Sequence, residues 1–166
     1  MPTLSDSLIS ISGLGEKTSE RLNQLGIYTL EHLLFHLPHR YQDKTRITPL
    51  NEAQVGNEIL TELTIERIEE APSRQRQLLC YLVDEHNHRL LLRFFHFNQY
   101  QKQALVRGEV IQCFGEVKIG RQGLEMHHPE YRLTSQQSTL FEATLTPVYP
   151  LCQGVTQKKL KQWINI

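Results

Sequence analysis

Rings able to stack on flat ligands and cations able to meet phosphates crowd into Leu90 to Lys102, which reads LLLRFFHFNQYQK. Three of the chain's six Phe residues fall between Phe94 and Phe97. The run opens as a strand, where successive side chains point to opposite faces. Phe94, Phe95 and Phe97 therefore cannot all be buried on one face. For any single ring, burial in a core is the plainer reading. After Phe97 the pattern turns helical. Asn98 suits an N-cap, Gln99 to Arg107 holds good helix formers, and Gly108 stops the helix. Rings stack on bases of any sequence, contributing about 1–3 kcal/mol per base. Nearby Arg and Lys neutralise phosphates and make such binding salt-dependent.

Charge supports the same region. The 166 residues carry a formal net charge of zero, which excludes a polycationic tail but not a local basic patch. Asn51 to Glu85 holds eight acidic and three basic residues. His86 to Arg132 holds seven basic residues (Arg89, Arg93, Lys102, Arg107, Lys118, Arg121 and Arg132) and four acidic ones. Lys158, Lys159 and Lys161 follow. The positive half is the aromatic half.

Catalytic signatures are missing. No phosphate loop, Gly-x-Ser-x-Gly or His-Glu-x-x-His occurs. Gly13-Leu14-Gly15-Glu16-Lys17-Thr18 resembles a phosphate loop only superficially, since its first glycine lies too close to Lys17 and no strand precedes it. His127 and His128 point to opposite faces of a strand and cannot share one ion. His86 and His88 could, but no Cys or carboxylate stands at supporting spacing. Cys80, Cys113 and Cys152 are odd in number and far apart, which predicts reduced thiols and a cytoplasmic protein. No signal peptide opens the chain, and no apolar run approaches the ~20 residues that a membrane span requires.

Periodicity supplies the elements. Glu16 to Leu25 and Leu30 to Leu37 read as two helices, with Gly26 as the residue after the first and Thr29 capping the second. Ser12 to Gly15 is a glycine turn ahead of the first. Glycine turn, helix, Gly-Ile-x-Thr connector and helix look like a helix-hairpin-helix unit, which binds DNA backbone or else braces a neighbouring domain. His39 to Leu50 is an extended linker. Strands follow at Val55 to Ile68, Gln77 to Val83 and His88 to Phe97, then the helix Gln99 to Arg107. Two more strands are Val110 to Ile119, with a bulge or sharp coil at Gly115, and Leu124 to His128. Three strands, a helix and two strands match the five-stranded OB-fold Greek-key barrel. The expected class is thus mainly β with α: a barrel behind a short helical unit. Tyr131 to Thr144 reads as irregular, and Leu145 to Pro150 as an extended strip lying against the barrel. The expected divisions are 1–50, a helical unit and linker; 51–150, the barrel; and 151–166, the start of a linker helix. That last helix, capped by Thr156, reaches Ile166 without a C-cap and predicts a longer protein.

Four stretches then carry a resemblance: Leu33 to Asp43, Arg93 to Asn98, Gly123 to Tyr131, and Leu145 to Pro150. Together, and in order, they resemble the N-terminal part of bacterial RecG, the ATP-dependent branched-DNA helicases. The resemblance covers nearly the whole chain. It implies a wedge domain that splits strands while a motor beyond Ile166 pulls duplex, remodelling stalled forks and Holliday junctions in repair and recombination. It implies branched DNA as ligand, single-stranded DNA-binding protein as a further partner, a monomer, and no membrane. It implies ATP and magnesium for the full-length helicase, with no cofactor, metal or catalysis in this part. The family's aromatic contacts fall around Phe97, whose ring is expected to project from the barrel rim and stack at the branch point, with Tyr100, the nearest following ring, in support. Arg93, Lys102, Arg107, Lys118 and Arg121 are the expected phosphate contacts. Two other classes compete: a general OB-fold binder of single-stranded nucleic acid, and a protein-interaction module using the Phe patch.

Overall fold

The computed structural model describes residues 3–71, 76–135, 141 and 143–164. The chain divides into two compact units, Met1–Gln42 with Thr146–Ile166, and Asp43–Leu145. The barrel unit therefore begins and ends several residues earlier than the periodicity places it.

The first unit contains helices α1 (Glu16–Asn23) and α2 (Leu30–Leu34). Gly26 takes φ 78° after α1, a left-handed conformation that glycine adopts without steric cost. The Thr29 hydroxyl caps α2 by accepting the His32 N–H. The helix ends at Leu34, not Leu37. Pro38 disfavours helical backbone at Leu37 and offers no N–H to the Leu34 carbonyl, so the chain unwinds. Phe35 and Leu37 are left 71% and 73% exposed. Strand β1 (Arg40–Asp43), inside the expected linker, pairs with the strand Leu145–Val148 in a two-stranded sheet. The expected strip at 145–150 thus finds its ladder partner in β1. The closing helix, Gln157–Ile164, is no detached linker. Its Leu160 and Trp163 share one buried core with Leu8, Leu22, Ile27 and Leu33. The Gln157 side chain also clamps the Tyr149 backbone, accepting its N–H at 3.1 Å and donating to its carbonyl at 2.7 Å.

The second unit is the barrel. Its strands are β2 (Glu58–Ala71), β3 (Gln77–Val83), β4 (Arg89–Phe94), β5 (Val110–Glu116), β6 (Lys118–Gly120), β7 (Gly123–His127) and β8 (Glu130–Leu133). Helix α3 (Gln99–Ala104) stands between β4 and β5. Antiparallel pairs join β2 to β3, β3 to β4, β2 to β5 and β6 to β7, while β4 and β7 run parallel. β5 and β6 are one run of chain interrupted at Val117. The ladder β6-β7-β4-β3-β2-β5 therefore returns to the segment where it began, as in a partly open Greek-key barrel. Val117 leaves the ladder because its amide bonds to Asn57 and its carbonyl to Gly56.

Gly115 shows no bulge: its pairing with Ile59 is in register. A Cβ there would lie 3.2 Å from Pro129 Cβ, a tight contact that glycine avoids. The irregularity is in β2 instead, where register shifts between Ile65 and Arg67. β8 lies in the stretch expected to be irregular. Four residues are too few to show a period, and their strand state comes from pairing with β5. Alternation across the sheet directs Leu78, Cys80, Leu82, Leu90, Leu92 and Phe94 into one core. Burial pushes the Cys80 thiol up to about 12 and the Cys113 thiol higher still, so neither is a reactive thiolate at neutral pH.

Candidate nucleic-acid interface

β4 carries the aromatic run to the end of the barrel and stops at Phe94, three residues before Phe97. The three rings then separate. Phe94 is 2% exposed and belongs to the core. Phe95 continues the outer face of β4, half-buried, with its ring edge-on to His127 at 5.2 Å. Phe97 does not project freely from the rim, as a strand running through it would require. The chain has already left the sheet, and the half-buried ring packs on the core. The Arg76 guanidinium lies 5.5 Å from the Phe97 ring centre. Arg76, Phe95, His96 and Phe97 line an open cleft of about 360 Å³.

Asn98 caps α3 as expected, its side chain accepting the Gln101 N–H at 2.7 Å. The helix is shorter than its composition predicts and ends at Ala104, where Leu105 returns to extended backbone and buries its side chain. Two residues after the cap, in the first turn, stands Tyr100, 79% exposed. It borders a second groove with Ala104, Tyr131, Arg132 and Phe141, about 510 Å³ in volume. Tyr100, rather than Phe97, presents the free ring.

The cations fall into groups. Lys102 Nζ lies 2.8 Å from Glu70, and Arg76 Nε bonds the other oxygen of the same carboxylate at 2.5 Å. Arg76 first and Lys102 second draw the Glu70 carboxyl down to about 2. Two cations thus share one anion beside Phe97. Arg93 stands on the outer face of β4, donating to Gln77 at 2.9 Å and to Glu125 at 3.1 Å. Glu125 also accepts from His127 Nε2 at 2.6 Å. Burial pushes the Glu125 carboxyl up, but the bonds from His127 and Arg93 prevail and hold it below its ordinary value. Lys118 sits opposite Glu125 in the β6–β7 pair, 3.8 Å from Glu116. Arg121 is exposed at the turn of that hairpin, and Arg107 is exposed between α3 and β5. The seven expected contacts therefore form an end group (Phe97, Tyr100, Lys102), an outer-face group (Arg93, Lys118, Arg121), and Arg107 apart from both.

Some residues on these surfaces were not foreseen. Arg67 lies 3.9 Å above the Tyr81 ring on the outer face, and Arg89 pairs with Glu66 beside them. The alternation of β3 would have placed Tyr81 opposite Cys80, but only the strand register brings Arg67 next to it. Among the described residues, no group of three or more His, Cys, Asp or Glu is placed to hold a metal ion. None of the described helices is long and apolar enough to cross a membrane.

This architecture has relatives. The model of the RecG wedge domain matches residues 9–166. The chain belongs to the RecG wedge domain family. The ATP-dependent DNA helicase RecG of Pasteurella multocida is 38% identical over 156 residues, 93% of this chain and 22% of the relative. The helicase of the same name from Escherichia coli K12 is 36% identical over the same shares. A solved structure of RecG bound to a three-way DNA junction covers 99% of this chain and 23% of its own, with a TM-score of 0.71 and 26% identity. The chain thus spans about a fifth of these relatives. The end group offers an exposed ring on a capped helix, a half-buried ring three residues before it, and two cations over one carboxylate. Such a surface can cap an opened base pair and meet the phosphates beside it.

Proposed function

We propose that this chain binds branched DNA and is the strand-separating wedge of an ATP-dependent helicase that remodels stalled forks and Holliday junctions. The observation that carries the reading is Tyr100, 79% exposed on α3, three residues after the half-buried Phe97. Tyr100 stacks on the terminal base pair of a duplex arm, and Phe97 supports it from the barrel. Lys102, Arg107, Lys118 and Arg121 meet phosphates, and Arg93 shapes the outer face through Glu125. Family membership and the likeness to a junction-bound helicase support this assignment. In the whole protein, ATP and magnesium belong to the motor, and the wedge works as a monomer in the cytoplasm, where single-stranded DNA-binding protein is a partner. The test is binding of the chain to a three-way junction, a linear duplex and a single strand at one salt concentration. The junction should bind tightest. Equal affinity for junction and single strand would support a general OB-fold binder instead.

A further inference from the structure

The last ladder pair between β4 and β7 is Arg93 with His127. Beyond it Phe95 has no strand to receive its N–H. His128 meets that need. Its backbone takes φ 45°, in the left-handed region, and its own N–H donates to the Arg93 carbonyl at 3.0 Å. The imidazole turns back across the departing chain, and Nε2 accepts the Phe95 N–H at 3.0 Å. The same ring lies 5.9 Å from Phe94, edge-on at 87°, and 5.6 Å from Phe95. It stacks on His96 at 6.0 Å and 30°. One side chain therefore touches each of the three residues that lead from the barrel core to Phe97.

We propose that His128 is a positioning residue: it fixes the Phe95–Phe97 segment, and so sets where α3 and its exposed Tyr100 leave the barrel. The consequence for DNA rests on the wedge reading above; the positioning itself does not. To accept from an N–H, Nε2 must carry no proton, so the neutral ring holds its proton on Nδ1. Protonation turns both nitrogens into donors and breaks the contact. The charged or titratable groups around the ring are His96, stacked on it, and His127, which is bonded to Glu125. Arg93 meets the same Glu125 carboxylate through its side chain. Among the described residues, no carboxylate is bonded to His128 itself.

Two substitutions separate this role from simple packing. Gln places its amide oxygen about where Nε2 stands and does not titrate, so H128Q should keep the bond. Asn tolerates the left-handed backbone but is too short to reach. The primary readout is hydrogen exchange of the Phe95 amide by NMR, with β3 amides as the control. In H128N that amide should exchange about tenfold faster, with β3 unchanged. In H128Q it should stay protected. The H128Q exchange decides the matter even if H128N fails to fold. Undiminished protection of the Phe95 amide in H128N, or its loss in a folded H128Q, would overturn the proposal. The junction-to-duplex affinity ratio, measured on the same samples, separates the two readings. A lowered ratio in H128N supports both. Exchange behaving as expected with an unchanged ratio upholds the positioning role and counts against the wedge.

Discussion

Tyr100 lies in α3 and Phe97 just before its cap, and they meet different surroundings, so their removal should differ in kind. Phe97 packs on the barrel core and under Arg76. A fully buried Phe replaced by Ala costs about 3–5 kcal/mol. Half-buried Phe97→Ala should cost about half of that, and a thermal melt should show a drop of several degrees. An unchanged melt would mean that the ring makes no net packing contribution. The sequence predicts a Phe97 ring projecting from the rim, and the structure half-buries it for a local reason. Alternation correctly separates Phe94 from Phe95, but it holds only while the chain is a strand. β4 ends at Phe94, so the period says nothing reliable about Phe97. The engagement of the cations was equally hidden. Arg93 and Lys102 find Glu125 and Glu70 across 32 residues of sequence, a distance that no local pattern spans.

At the scale of elements, α3 is the part on which the exposed ring depends. It has six residues, none buried, so its cap contributes a large share of its stability. Asn98→Ala should lose about 1 kcal/mol and unprotect the first-turn amides of α3. Asn98→Asp should restore both, because a carboxylate caps as well; hydrogen exchange of the Gln101 amide checks this. Elements with their own punctuation were legible: the Asn98 and Thr29 caps, Gly26 after α1, and β3 to the residue. Elements made by distant partners were not. β1 and β8 are each four residues long and exist through their pairings, while the core that receives the closing helix is built from residues near both ends of the chain. The order of three strands, a helix and two strands carried the barrel, because a Greek key is a statement about order.

For the molecule as a whole, the measurable consequences are electrostatic. Arg107, Lys118 and Arg121 are free or loosely paired among the described residues, and Arg76 with Lys102 leaves one positive charge over Glu70. With about four phosphate contacts, log affinity against log salt should have a slope near −3 to −4. A flat response would favour a protein-interaction surface. Stability should fall in acid through Glu70, drawn from 4.5 to about 2, and through the lowered Glu125. A depressed carboxyl stabilises the folded state fully above its unfolded value. That contribution is lost as pH falls through the folded value, so the window runs from about 4.5 down to about 2. Melting temperature over that range should fall less steeply in the Glu70→Gln, Glu125→Gln double variant than in the wild type. Identical slopes would mean that neither carboxylate is linked to folding. Whether the exposed ring on α3 recognises the opened end of a duplex arm is decided by Tyr100→Ala. Its affinity for a fork and for a linear duplex should be measured beside the wild type at one salt concentration. The loss should be about 5- to 150-fold on the fork, the equivalent of one stacked base, with a much smaller loss on duplex and an unchanged melt. Equal losses on fork and duplex, or none on either, would show that the ring does not recognise the opened end.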